Sequence, residues 1–211
     1  MKSILVSAAL APALIAGLAA CGPPSSPEPT ADGGVLADIP SFVDTAQALG
    51  PARVTVTQAD GRRFSFDDPG DGVTLVYFGY TSCPDVCPTT MADLTAGLRA
   101  LPEDVAEQFS VRFVTTDPRR DTRKQLRAWL GGFGMNVIGA RAPIDDVIKA
   151  AEAYGIFIKP PKITKGNYEV THGAQVLALG PDGAAIGYFR DGTSAQTYAK
   201  ALPGVLEEAN S

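Results

Sequence analysis

Cys83 and Cys87, with three residues between them in Cys83-Pro84-Asp85-Val86-Cys87, are the residues of this chain with the plainest capacity for chemistry. A thiolate is both a nucleophile toward disulfides and a soft metal donor. On a regular helix, residues four apart share a face and stand about 6 Å apart along the axis. That is at the wide end of what a disulfide spans. Pro84 suits the first helical position, but Pro88 would then fall inside the helix and lose a hydrogen bond. The expectation is an irregular turn over 83–87, with the helix proper starting near Pro88. Such a turn can bring two sulfurs round one small ion.

Donors are scarce. The chain has three cysteines and a single histidine, His172. Structural zinc sites and iron–sulfur clusters usually take four protein ligands. Cu(I) is satisfied by two or three, so copper fits this inventory best. Other readings of the pair stay open. A plain structural disulfide would close a very small loop and stabilise little by chain entropy. A thiol–disulfide oxidoreductase is a second candidate, although thioredoxin-type enzymes place two residues between their cysteines. A peroxidase needs a sensitive nucleophilic cysteine, and the prolines and spacing here do not resemble the peroxidase motifs.

The third cysteine, Cys21, has a different setting. Lys2 is followed by an uncharged run from Ile4 to Leu18. That is the length of a signal-peptide apolar region and short for a membrane span, which needs roughly 20 residues. The run ends in Leu18-Ala19-Ala20-Cys21, a pattern that resembles the bacterial lipobox. Residues 1–20 are thus expected to be a lipoprotein signal peptide and Cys21 a lipid attachment point. An uncleaved membrane helix is the alternative, and both place the domain outside the cytoplasm. Residues 21–44, rich in Pro, Ser and Gly at first, read as a flexible tether. The expected location is the periplasmic side of a bacterial cell envelope, anchored to a membrane through lipid.

Of the 211 residues, 45% are hydrophobic and 19% charged, as in a folded domain. The net charge of −5 argues against general nucleic-acid binding, which needs a cationic footprint. Residues 45–208 are expected to form one domain.

The elements that must position the cysteines follow from periodicity. Arg53–Thr57 and Arg62–Phe66 alternate around the turn signal Ala59-Asp60-Gly61 and predict a hairpin. Val73–Tyr80 and Ser110–Thr115 are β-branched and aromatic runs that suit buried central strands. Residues 89–101, 123–130 and 144–154 carry helical spacing, and Asp121-Thr122 offers an N-cap before the second. Ala174–Leu179 and Ala184–Phe189 flank the turn Gly180-Pro181-Asp182-Gly183 and predict a second hairpin. Thr193–Glu208 reads as a closing helix that Pro203 kinks or interrupts. The order gives an α/β fold: a thioredoxin-like mixed sheet with helices on both faces and an N-terminal β-hairpin extension. Cys83 and Cys87 then lie between a buried strand and a helix, where reactive groups of α/β sheets gather and the helix dipole favours thiolate. In that fold the loop bearing His172, before the terminal hairpin, lies beside the cysteine turn. Neutral imidazole is a good third copper ligand.

The stretch Phe78-Gly-Tyr-Thr-Ser-Cys-Pro-Asp-Val-Cys-Pro-Thr-Thr90, the segment Asp117-Pro-Arg-Arg-Asp-Thr122 and the late histidine resemble the Sco/SenC family of copper-handling proteins over about residues 45–208. The resemblance implies a thioredoxin-like fold and Cu(I) or Cu(II) held, one per chain, by Cys83, Cys87 and His172. It also implies a role toward the dinuclear copper centre of cytochrome c oxidase: delivering its copper, or reducing its thiols through a reversible Cys83–Cys87 disulfide. A redox sensor is a further possibility. Partners would include the copper-bearing oxidase subunit and other periplasmic copper chaperones or thiol reductants. Whether any of this is enzymatic stays open, with a metallochaperone favoured over a thiol–disulfide oxidoreductase. Asp85 and Asp117 are expected near the site, while Arg119, Arg120 and Arg123 are expected on a solvated face. The chain departs from the family at Gly173, where serine is common, and in Gly132–Ala140.

Overall fold

The computed structural model describes residues 35–45, 47–134, 137–164 and 167–211. Cys21, the apolar run before it and most of the expected tether lie outside the described residues. Among the described residues no helix is long and apolar enough to cross a membrane.

In chain order the elements are β1 (Phe42–Asp44), β2 (Thr55–Gln58), β3 (Arg63–Ser65), β4 (Val73–Gly79), α1 (Val86–Arg99), α2 (Glu103–Ala106), β5 (Phe109–Thr115), α3 (Arg123–Leu130), β6 (Val137–Arg141), α4 (Ile144–Glu152), β7 (Ile158–Thr164), β8 (Asn167–His172), β9 (Val176–Leu179), β10 (Ala185–Phe189) and α5 (Ala195–Ala209). Eight strands form one mixed sheet in the order β1-β10-β9-β4-β5-β6-β2-β3, and β7 and β8 form a separate two-stranded sheet. β4, β5 and β6 are parallel neighbours, and β9 joins β4 antiparallel. This is the expected mixed α/β sheet, with the β2–β3 hairpin on one edge.

All seven residues of β4 are buried, as a strand covered on both faces requires. Val73, Leu75 and Tyr77 alternate into one core layer with α1, α3 and α5. Val76 and Phe78 point into the opposite layer with α4 and the β2–β3 hairpin.

Three local expectations change. α1 begins at Val86 and not near Pro88. Pro88 is therefore its third residue, where the backbone N–H has no partner within the helix anyway, so the ring costs no bond. α5 runs unbroken through Pro203. Helix α3 is capped by Thr122, whose hydroxyl accepts from Gln125 N–H, and Asp121 turns inward instead. Strands β6, β7 and β8 add to the elements that the periodicity marks, and β1 corrects the expected tether: residues 39–44 belong to the fold, with Ile39 and Phe42 buried and β1 paired with β10.

Because β4 and β5 are parallel and in register, with Gly79 opposite Thr115, their carboxyl ends emerge side by side. One end leads into the cysteine turn and the other into the loop Thr116–Thr122.

Candidate metal centre

The cysteine turn is pinned where it leaves the sheet. Gly79 C=O accepts from both the backbone N–H (2.7 Å) and the hydroxyl (3.2 Å) of Thr116. Asp121 is fully buried. Its carboxylate accepts three hydrogen bonds: from Thr81 N–H (3.0 Å), the Thr81 hydroxyl (2.6 Å) and the Thr115 hydroxyl (2.6 Å). Among the described residues it forms no ion pair. A buried carboxylate persists in such a place only if its oxygens are satisfied, so the three donors and the carboxylate hold one another in place. Thr81 is thereby fixed two residues before Cys83.

Cys83 N–H donates to Tyr80 C=O (3.2 Å), closing a turn. Cys83 is half-buried, Cys87 is buried in the first turn of α1, and both are free thiols. Cys87 N–H donates to Cys83 Sγ (3.3 Å). Burial alone would raise the Cys83 pKa, but donation from Cys87 and Asp85 N–H and from the Cys87 and Tyr80 side chains outweighs it and holds the thiol below its ordinary value. Cys87 is pushed up to about 12, chiefly by burial. The pair is asymmetric: an accessible sulfur inclined to thiolate, and a covered one that keeps its proton.

His172 ends β8 and lies opposite Ile158 in β7. Its Nδ1 donates to Gly173 C=O (2.9 Å). A carbonyl only accepts, so the proton is on Nδ1 and Nε2 carries a lone pair. Nε2 lies 3.6 Å from Cys87 Sγ. Burial lowers the His172 pKa, with Gly173 C=O and the Asp191 charge opposing, so the ring is neutral near pH 7. Tyr77 and Tyr80 flank it edge-on, with ring centroids at 6.0 and 5.7 Å. Gly173 leaves little room: a Cβ there would stand 2.3 Å from Gln175 Oε1, so that flexible side chain would have to shift, and 3.2 Å from Ile156.

The structure thus links Cys83, Cys87 and His172 through Cys87, which touches each of the other two. Among the described residues no three His, Cys, Asp or Glu side chains are pre-set around a metal-sized space. The trio is a donor set in contact and not a closed cage. Its chemistry, two soft sulfurs and an imidazole lone pair, suits Cu(I) better than a four-ligand zinc or iron–sulfur site.

The two aspartates differ. Asp85 is exposed, makes no side-chain cap, and reaches the site only through its backbone N–H toward Cys83. Asp117 is fully buried. It accepts from the Tyr168 hydroxyl (2.5 Å) on β8 and pairs with Arg120. The Arg120 guanidinium lies 3.9 Å from the Tyr168 ring centroid and 6.0 Å from that of Tyr80. Arg120 keeps its expected place on an exposed face, but there it is paired with Asp117 and lies over the Tyr168 ring. Tyr168, Asp117 and Arg120 form a latch between the strand that carries His172 and the loop beside the cysteines. Asp121, Thr81, Tyr80, Tyr168 and Arg120 escape a reading of the sequence as site residues. Asp121 resembles an N-cap there, and the others gain their roles only from contacts across the fold.

The SCO1/SenC family's sequence model matches residues 45–207. The human mitochondrial SCO1 homolog is 31% identical over 122 residues, covering 54% of this chain and 39% of its own. The match takes in less than two thirds of the length of such curated relatives, for example 55% of Schizosaccharomyces pombe sco1. The solved structure of Bradyrhizobium japonicum ScoI with copper bound is 29% identical, with a TM-score of 0.65, covering 75% of this chain and 99% of that one. Yeast Sco1 with copper bound shares the fold at 24% identity, with a TM-score of 0.65 and coverage of 77% and 88%.

Proposed function

The chain belongs to the SCO1/SenC family, and from that premise we propose that Cys83, Cys87 and His172 hold one copper ion as cargo for the dinuclear copper centre of cytochrome c oxidase. The contact of His172 Nε2 with Cys87 Sγ carries this reading. Nδ1 is committed to Gly173 C=O, so the only free imidazole lone pair faces the thiol pair. An outer partner on the far nitrogen is the usual way a metal-ligating histidine is oriented. The Bradyrhizobium relative with copper bound supports the choice of metal. Copper replaces thiol protons, so binding needs the reduced dithiol and releases protons. The test is copper content: the reduced chain is expected to retain one copper per molecule and Cys83→Ser almost none. A reduced wild-type chain that retains none would overturn the reading.

A second reading has its own observation, the asymmetry of the two thiols. A low-pKa Cys83 thiolate attacks one sulfur of a partner disulfide and releases the other as thiolate. Cys87 then attacks the mixed disulfide, so the partner gains two electrons and this chain ends as the Cys83–Cys87 disulfide. Turnover that survives His172→Ala would favour this reading. Coupling between oxidation and copper release would also let the pair act as a redox sensor.

We further propose that Cys21 is acylated and tethers the domain at the periplasmic face of a membrane, on the support of the leader pattern before it. Mass spectrometry of the membrane-extracted protein tests this; an unmodified Cys21 would contradict it.

A further inference from the structure

Three arginines line a cavity at the edge of β2, β6 and α3 that the copper reading does not use. The cavity has a volume of about 530 Å³ and is lined by Arg119, Arg123 and Arg141 together with Thr57, Pro118 and Pro143. No carboxylate lines it, although the chain as a whole carries a net charge of −5. Among the described residues none of these three arginines is in an ion pair. Two of them are held by backbone carbonyls. Arg141 Nη2 donates to Pro118 C=O (2.5 Å) and Arg123 Nε to Ala59 C=O (3.2 Å). A neutral carbonyl orients a guanidinium without cancelling its charge. Arg141 Nε is buried and finds no acceptor among the described residues, so this guanidinium is under-satisfied as well as uncompensated. Arg123 is also the first residue of α3, so the positive end of that helix adds to the field.

Like charges brought together and fixed cost free energy unless something offsets them. Guanidinium forks match the spacing of oxygens on a tetrahedral oxyanion, each offering two parallel donors. We propose that this cavity is a binding site for a phosphate-type oxyanion, held by Arg119, Arg123 and Arg141. The anion is either free phosphate or the phosphodiester of a lipid headgroup, since both present the same oxygens. The site is separate from Cys83, Cys87 and His172 and stands whether or not those residues carry copper.

The test is calorimetric titration of the full chain at constant ionic strength. One arm uses inorganic phosphate and the other glycerophosphoglycerol, a soluble phosphodiester headgroup, with chloride as the control. The expected result is one anion per chain with a dissociation constant at or below about 1 mM. Arg119→Gln and Arg123→Gln, both exposed, should each weaken binding by about tenfold while leaving the unfolding midpoint unchanged. Preference for the first anion identifies a free-phosphate site and preference for the second a headgroup site. Neither anion binding above chloride would overturn the proposal, and so would unchanged affinity in the Arg119→Gln/Arg123→Gln chain. An acidic peptide that binds through these arginines when both anions fail would overturn it in favour of protein docking.

Discussion

The donors of the proposed site come from two regions built on different terms. Cys83 and Cys87 follow a strand buried along its whole length, and a buried carboxylate with three donors fixes the turn between. His172 sits on a hairpin that is a sheet of its own. Pro160 and Pro161 within β7 offer no N–H to the ladder, and the register shifts between Lys159 and Lys162. Phe157, just before the hairpin, is 57% exposed. The hairpin is tied down at its base, where Ile158 is buried against α4 and His172 meets Cys87, and at the Tyr168–Asp117–Arg120 latch. A two-stranded ribbon alone is marginally stable. The dithiol is therefore preset by the core, whereas the imidazole is held by a few separable contacts. A carrier that must grip and release a metal is served by that division, because one ligand can leave without disturbing the fold.

The largest effect should come from cutting the preset region. Asp121→Ala leaves Thr81 N–H and two hydroxyls buried without an acceptor, at a cost of about 3 kcal/mol. The unfolding midpoint should fall by roughly 10 °C, measured by thermal denaturation. A midpoint within a degree of wild type would mean the cysteine turn is not anchored there.

On the hairpin side, Tyr168→Phe removes only the hydroxyl that donates to Asp117. Copper affinity should fall by up to about tenfold in a competition titration, because the strand that carries His172 loses a tie to the loop beside the cysteines. Stability should change by less than about 1 kcal/mol. If both quantities changed as in Asp121→Ala, the contrast between the regions would collapse.

The thiols themselves sharpen the contrast within the preset region. The rate of Cys83 alkylation should rise with pH through a midpoint below the ordinary thiol value, while Cys87 stays unreactive to about pH 12. Because the folded Cys87 pKa is raised, the unfolded chain gives up that proton first. Stability should therefore fall as pH rises from about 9 toward 12. Equal reactivity of the two cysteines in the intact protein would remove the asymmetry.

The smallest effect is on the hairpin. The folded His172 pKa lies below its ordinary 6.5, so the unfolded state takes up the proton first as pH falls. The histidine contribution is complete above about 6.5 and declines as pH falls through that value toward the folded pKa. Denaturant midpoints from pH 7.5 to 5.5 should show this slope in wild type, and His172→Gln should flatten it.

How much of this was legible in the sequence differs along the same divide. β4, β5 and the β9–β10 hairpin announce themselves as apolar runs bounded by turn residues, because most of their residues are buried. Cys83 and Cys87 are visible from spacing alone. The β7–β8 hairpin is not, since two prolines and several lysines read as a loop, and its pairing rests on tertiary contacts. Asp121 and Arg120 look like a cap residue and a surface charge. Only the fold shows that the first is enclosed and that the second, though exposed, pairs with Asp117 and lies over the Tyr168 ring.

The most direct measurement is copper binding by the reduced chain in both oxidation states, with and without His172. Wild type is expected to bind one copper per molecule at a single site, as Cu(I) or as Cu(II), the latter with a sulfur-to-Cu(II) charge-transfer band. His172→Ala should keep Cu(I) on the preset dithiol and lose Cu(II). An undiminished Cu(II) band in His172→Ala would contradict the joining of the two regions into one site.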